Sequence, residues 1–300
     1  MSAGAVVAAW ALAVFGTGAV IIGLYGLREP AKARELWAVY ASTLAIAAAL
    51  LVPLALHPLV FTLVVAAGAW RGAIELATTY DLRPDTPRRL AIAGGALLAA
   101  GWGSTQGDSA AALYIATAAL VAIAGPVYVR AFSGKPSGIA AWLATLTFPL
   151  LAAAHLSHLA HLHNGFTWIV LLYATVETQD SAAYLFGRLF GRRLLLPRLS
   201  PKKTVAGAVA GALCGLALGA AGAWGLLDLA PAAALALAAL IVAAGFCGDL
   251  YTSALKRGAG VKDFPAVTTL HGGILDIYDS TLFAAVVLSS TIYIIAPWTS

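Results

Sequence analysis

The chain has 300 residues, of which 61% are hydrophobic and only 10% charged, with mean hydropathy +0.88. That composition excludes an ordinary soluble domain and predicts an all-α, polytopic membrane protein. The basic balance, 18 Lys and Arg against 13 Asp and Glu with pI near 9.3, is better explained by membrane topology, with anionic lipid and nucleotide phosphate as partners, than by nucleic acid, and no nucleic-acid partner is expected.

Taken in chain order, apolar runs fall at roughly 3–26, 36–56, 59–78, 90–106, 109–129, 138–156, 166–187, 205–226, 230–250 and 280–297. These predict about ten helices rich in Ala and Gly, which favour close packing in lipid. The runs at 59–78 and 90–106 are the weakest and also fit interfacial or re-entrant segments. The first run is too long for a signal-peptide core and lacks a basic leader, so it reads as a retained helix. Cys214 and Cys247 both fall inside predicted helices, as small core residues rather than a disulfide framework.

Basic residues segregate along these spans. Arg28, Lys32, Arg34, Arg71, Arg83, Arg88, Arg89, Arg130, Lys135 and the clusters at 188–203 and 256–262 all fall in odd-numbered loops. The positive-inside rule makes that side cytoplasmic and places both termini outside. By charge pattern the chain divides into residues 1–165, apolar helices for structure and lipid access, and 166–300, where polar motifs collect at helix ends.

Several polar residues have competing readings. His155, His158, His161 and His163 lie near an outer helix end without acidic or cysteine company, so solvated or interfacial histidines are favoured over a zinc site. Arg71 and Glu75 have the spacing of a helical ion pair, or belong to a headgroup path. Arg192 and Arg193 read as topology signals, and Lys262 with Asp263 as a loop pair or a site pair.

The richest segment is Gly248 to Ser280, which sets Asp249, Lys256, Arg257, Lys262, Asp263, His271, Asp276 and Asp279 against strongly apolar sequence. An ionisable group at a helix centre in lipid costs roughly 3 kcal/mol, so such a cluster needs a reason. Carboxylates suit hard cations, Lys and Arg suit phosphate, and Gly272-Gly273 permits close backbone approach. Asp276 and Asp279 also fit the N-terminal turn of the last helix.

The pattern S-x-L-K-R-x4-K-D…H-G-G-x-x-D-x-x-D, carried by Ser253, Lys256, Arg257, Lys262, Asp263, His271, Gly272, Gly273, Asp276 and Asp279, resembles that of CDP-diacylglycerol synthases (phosphatidate cytidylyltransferases). A second block resembles the same family through Asp180, Ala183, Tyr184, Gly187, Gly191, Ser200, Pro201, Lys203 and Thr204. Departures are Ile277 where the family has Arg, Pro265 for a small residue, Thr269-Leu270 for Pro-Gly, and Val205-Ala206 for Trp-Glu.

The resemblance implies an inner-membrane enzyme that joins CTP to phosphatidate, or a related lipid phosphate, at a cytoplasm-facing site among membrane lipids. It implies catalytic roles for Asp249, Asp276, Lys256 and His271. It implies Mg2+, with a second ion, divalent or K+, held by Asp249, Asp276, Asp180 and Asp279. Substrate contacts are expected from Ser200, Lys203, Thr204, Tyr184, Arg257, Lys262, Asp263, Gly272 and Gly273. Lys202 and Arg198 are candidates to replace the missing arginine at Ile277. A homodimer is compatible with all of this. The alternatives are a CTP-dependent polyprenol or phytol kinase, and a transporter or non-catalytic relative.

Overall fold

The computed structural model describes positions 16, 19–20, 23–24, 26–27, 30–82, 85–103, 138–197, 199–267 and 272–299. Among the described residues there are eight long helices and one small hairpin: α1 (Pro30–Leu56), α2 (Pro58–Thr79), α3 (Thr86–Gly103), α4 (Gly138–His161), α5 (Gly165–Phe190), β1 (Leu194–Leu196), β2 (Ser200–Thr204), α6 (Val205–Leu227), α7 (Pro231–Gly258) and α8 (Ile274–Thr299). Residues 1–57 and 58–300 form separate compact units. The first contributes α1, in which Trp37 and Tyr40 meet edge to face. The second holds all the other elements.

Among the described residues four helices are long and apolar enough to cross a membrane: Pro58–Thr79, Val205–Leu227, Pro231–Gly258, and α8 over Ile274–Ile294. Both weak runs are continuous helices, α2 and α3. The run at 109–129 and most of 3–26 lie outside the described residues. The helices overrun their apolar cores at the polar ends. α7 continues to Gly258 and α8 begins at Ile274, so Asp249, Lys256, Asp276 and Asp279 are helical residues. The apolar runs stop short of these ends, whereas the backbone continues with a partner for each of those ions.

The antiparallel hairpin was not predicted; it pairs Leu194 with Thr204 and Leu196 with Ser200. Thr204 then caps α6. Its backbone is extended and its hydroxyl accepts the Gly207 N–H at 3.1 Å. Gly207, Gly211, Gly215 and Gly219 follow at every fourth position and are buried on one helix face. That face lies directly on α5: a Cβ on Gly211 would stand 2.8 Å from the Ala183 Cβ, and one on Gly219 2.9 Å from the Thr175 hydroxyl. The opposite face exposes Leu213 and Trp224 at 61% and 63%, as a lipid-facing surface does.

α7 crosses α8 at Gly248, where a Cβ would come 2.6 Å from the Phe283 Cβ. The core beside this crossing gathers Leu76, Tyr80, Phe148, Leu255, Phe264 and Leu275 from α2, α4, α7, α8 and the loop between the last two. The Tyr80 hydroxyl donates to the Leu255 carbonyl at 3.1 Å.

The glycine face carries a direct test. Gly211→Leu should destabilise the detergent-solubilised protein by about 1–3 kcal/mol, the usual cost of overpacking. Gly225→Ala, where a Cβ meets nothing within 4 Å, should leave the melting temperature unchanged or raise it. Equal melting temperatures for Gly211→Leu and the parent would contradict the packing.

Candidate active site

The end of α5, the hairpin, the start of α6 and the middle of α7 enclose a cavity of about 570 Å³. Its lining includes Asp180, Tyr184, Ser200, Lys203, Thr204 and Asp249. The two sequence blocks therefore converge: residues 69 positions apart, Asp180 and Asp249, face one space. Lys203 reaches across it to form an ion pair with Asp249, and its ammonium stands 5.1 Å from the centre of the Phe246 ring. Burial pushes the Lys203 ammonium down from the ordinary lysine value, while the carboxylates of Asp180 and Asp279 pull it back up. Ser253 approaches the other Asp249 oxygen at 3.4 Å.

A second cluster lies about two helical turns further along α7, at Lys256. Lys256 Nζ meets Asp276 Oδ1 at 2.6 Å, and Asp276 Oδ2 accepts the backbone N–H groups of Phe264 at 2.8 Å and Gly273 at 2.9 Å. Asp276 is thus both an ion-pair partner and the cap of the turn leading into α8. Between the clusters, Thr252 donates to Asp279 Oδ2 at 2.6 Å, and Asp279 Oδ1 accepts the Ser280 N–H at 2.7 Å. Asp279 is buried, and the close crossing at Gly248 brings it to α7.

Other expected site residues take different positions. Arg257 donates to the carbonyls of Leu199 at 3.3 Å and Val261 at 2.8 Å, fastening the hairpin to the end of α7. Lys262 and Asp263 are both exposed and 3.7 Å apart, on a loop away from the cavity lining. Gly272 and Gly273 sit against carboxylates rather than in the cavity wall: a Cβ on Gly272 would meet Asp276, and one on Gly273 would meet Glu75. Lys202 lines the cavity. His271 and Arg198 lie outside the described residues.

Arg71 and Glu75 do form the expected ion pair, at 3.1 Å. The histidines depart from expectation. His155 and His158 are buried, not solvated, because that face of α4 packs on α2, where Ser157 and Thr62 hydroxyls meet at 2.8 Å. His161 Nδ1 lies 2.8 Å from the Ser157 carbonyl, and His163 is exposed.

Sequence reasoning overlooked Gln179, Phe246 and Arg188, all in the cavity wall. Gln179 is buried with its side-chain oxygen unpartnered; its place immediately before Asp180 was the available signal. Arg188 donates to the Tyr184 hydroxyl at 3.1 Å, the i, i+4 spacing being its signal.

Among the described residues no three His, Cys, Asp or Glu side chains converge as a ready-made metal cage. Magnesium seldom uses one. It is generally held by one or two carboxylates together with substrate phosphates. Asp180 and Asp249, facing a common cavity already bridged by a cationic lysine, fit that mode.

The tie made by Arg257 predicts that Arg257→Gln frees the hairpin without unfolding the bundle. Native-state cleavage between Leu194 and Leu199 should accelerate about tenfold, as loss of a charge-assisted hydrogen bond implies. Unchanged cleavage would show that Arg257 does not hold it.

A cytidylyltransferase family model matches residues 32–295 of this chain. An uncharacterized Escherichia coli protein, YnbB, is 36% identical over 162 residues, covering 51% of this chain and 54% of its own. A Helicobacter pylori protein named phosphatidate cytidylyltransferase is 37% identical over 134 residues, covering 45% and 50% respectively. One of the same name from Brucella suis is 42% identical over 132 residues, covering 41% and 46%. The chain spans about half the length of the curated relatives it matches.

Proposed function

The chain belongs to the cytidylyltransferase family, and from that premise we propose that it makes CDP-diacylglycerol and pyrophosphate from CTP and phosphatidate. One observation carries this reading above the others. Asp180, Asp249, Lys203 and Thr204 face one cavity beside α6 and α7, two helices apolar enough to cross a membrane, which suits a soluble nucleotide meeting a membrane lipid.

The chemistry asks little covalent work of the protein. An anionic oxygen of the lipid phosphate attacks the α-phosphorus of CTP. The new phosphorus–oxygen bond forms as the bond to the bridging α,β-oxygen breaks, and pyrophosphate leaves with that electron pair. No protein nucleophile is required, because the attacking group is already an anion. Lys203 and Lys256 hold Asp249 and Asp276 in the resting arrangement. Exchanging those carboxylates for phosphate oxygens lets both ammonium groups screen the triphosphate and the leaving group. Mg2+ held by Asp180 and Asp249, with Asp276 and Asp279 behind them, would supply charge neutralisation and alignment. Lys202 takes the place of the family's arginine at position 277 as a cavity cation.

The deciding assay uses labelled CTP and phosphatidate with the purified full chain in detergent. The proposal requires a lipid-soluble cytidine product and pyrophosphate. A phosphorylated polyprenol formed from an added alcohol would instead identify a lipid kinase, and no product from either acceptor would favour a non-catalytic relative. Asp249→Asn should lower the rate by about a hundredfold or more, since an amide keeps the shape and loses the charge. Near-parental activity would remove Asp249 from the site.

We also propose that the cavity opens to the cytoplasm at the inner membrane, with both termini outside. The loop bearing Arg192 and Arg193 and the turn at Asn164 lie at opposite ends of α5, whose 26 residues are about 39 Å long. In intact cells, a cysteine at Asn164 should react with impermeant thiol reagents, and cysteines at Arg192 or Gly258 should not. The reverse pattern would invert the topology.

A further inference from the structure

We infer that Glu75 and Arg71 act together as a positioning clamp, set on α2, that fixes the loop before α8 and thereby the placement of Asp276 against Lys256. Asp276 and Lys256 matter to turnover under the function proposed above, so the kinetic part of this inference rests on that reading.

Glu75 is fully buried in an apolar helix, where an unpartnered carboxylate is very costly. Both of its backbone partners lie at the start of α8. Its Oε1 accepts the Ile274 N–H at 2.9 Å, and Oε2 accepts the Leu275 N–H at 3.1 Å. These amides lie in the first turn of α8, where backbone donors have no partner within their own helix. Glu75 is therefore an N-terminal cap delivered from a residue about 200 positions away in sequence, and the positive end of the helix dipole favours its charge there. Gly273 makes the approach feasible, since a Cβ there would stand 2.6 Å from the Glu75 Cδ.

Arg71 extends the clamp to the middle of the loop. Its Nε pairs with Glu75 Oε1 at 3.1 Å, and its Nη2 donates to the Pro265 carbonyl at 3.1 Å. The two clamped points, Pro265 and Ile274, each adjoin a residue whose N–H is bound by Asp276 Oδ2, namely Phe264 and Gly273. Moving either point moves an Asp276 donor. Neither clamp residue lines the cavity, so both are positioning residues, acting through Asp276 and Lys256.

Glu75→Gln separates positioning from bulk stability. Glutamine keeps the shape but offers one carbonyl oxygen, so it serves one of the two amides and turns an NH2 group toward the other. Hydrogen exchange of the full chain in detergent, read by mass spectrometry without substrate, should show about tenfold faster exchange in peptides covering Phe264 and Gly273–Asp276. Peptides from α5 and α6 should be unchanged. The same variant should lose about tenfold in kcat while KM for CTP stays within about twofold, because the cavity wall is intact. Arg71→Lys, which retains a cation for one contact, should exchange more slowly over this segment than Arg71→Ala.

Unchanged exchange over 264–276 in Glu75→Gln would overturn the clamp. So would faster exchange spread evenly through α5 and α6, which would mark Glu75 as a general stability residue. A parent chain that makes no liponucleotide would refute the proposed activity and leave the exchange result to decide the clamp.

Discussion

A charge placed inside an apolar bundle must be given a partner, and the arrangement of the C-terminal half depends on how four carboxylates meet that demand. Glu75 is met by Arg71 and two amides of α8, Asp249 by Lys203, Asp276 by Lys256 and two loop amides, and Asp279 by Thr252 and the Ser280 amide. Each of the four carboxylates has at least one partner on another element: Glu75 on α8, Asp249 on the hairpin, Asp276 on α7 and the loop, and Asp279 on α7. Replacing a buried ion pair by apolar residues is often neutral or stabilising, whereas removing one partner costs about 3–5 kcal/mol. The pairings are therefore a poor device for stability and an effective one for holding charged groups in register.

The same constraint explains the glycines. Gly248 lets α7 and α8 approach until Thr252 reaches Asp279, and Gly273 lets the Glu75 carboxylate reach the backbone of α8. The glycine face of α6 brings the Thr204 end of the hairpin against α5, which sets Lys203 opposite Asp180 in one cavity. The ammonium groups of Lys203 and Lys256 are held by carboxylates, and under the proposed function phosphate oxygens take the place of those carboxylates.

Much of this was legible in the sequence. Long apolar runs predicted α1, α2 and α4 to α8 to within a few residues at most ends, because lipid solubility is nearly a local property. The convergence of the 180–204 and 249–279 blocks followed from residue chemistry and from resemblance to a family. The apolar runs stopped short of the polar ends of α7 and α8, since hydropathy cannot see a partner supplied from elsewhere. Arg257 was expected at substrate from the motif it shares with the family; in the structure its Nε and Nη1 donate to the Leu199 and Val261 carbonyls, contacts that no local pattern announces. The role of Glu75 was out of reach because it depends on a contact about 200 residues away, and the hairpin because three- and five-residue strands leave almost no periodic signal.

Under the proposed function, nucleotide phosphates enter the cavity between α5, the hairpin and α7 and take Lys203 from Asp249. The sharpest test is a structure of the full chain in lipid nanodiscs with Mg2+ and a non-hydrolysable CTP analogue. Triphosphate density is expected within hydrogen-bonding distance of Lys203 Nζ, with the Lys203–Asp249 pair opened. Triphosphate bound elsewhere, or bound with that ion pair intact, would contradict it.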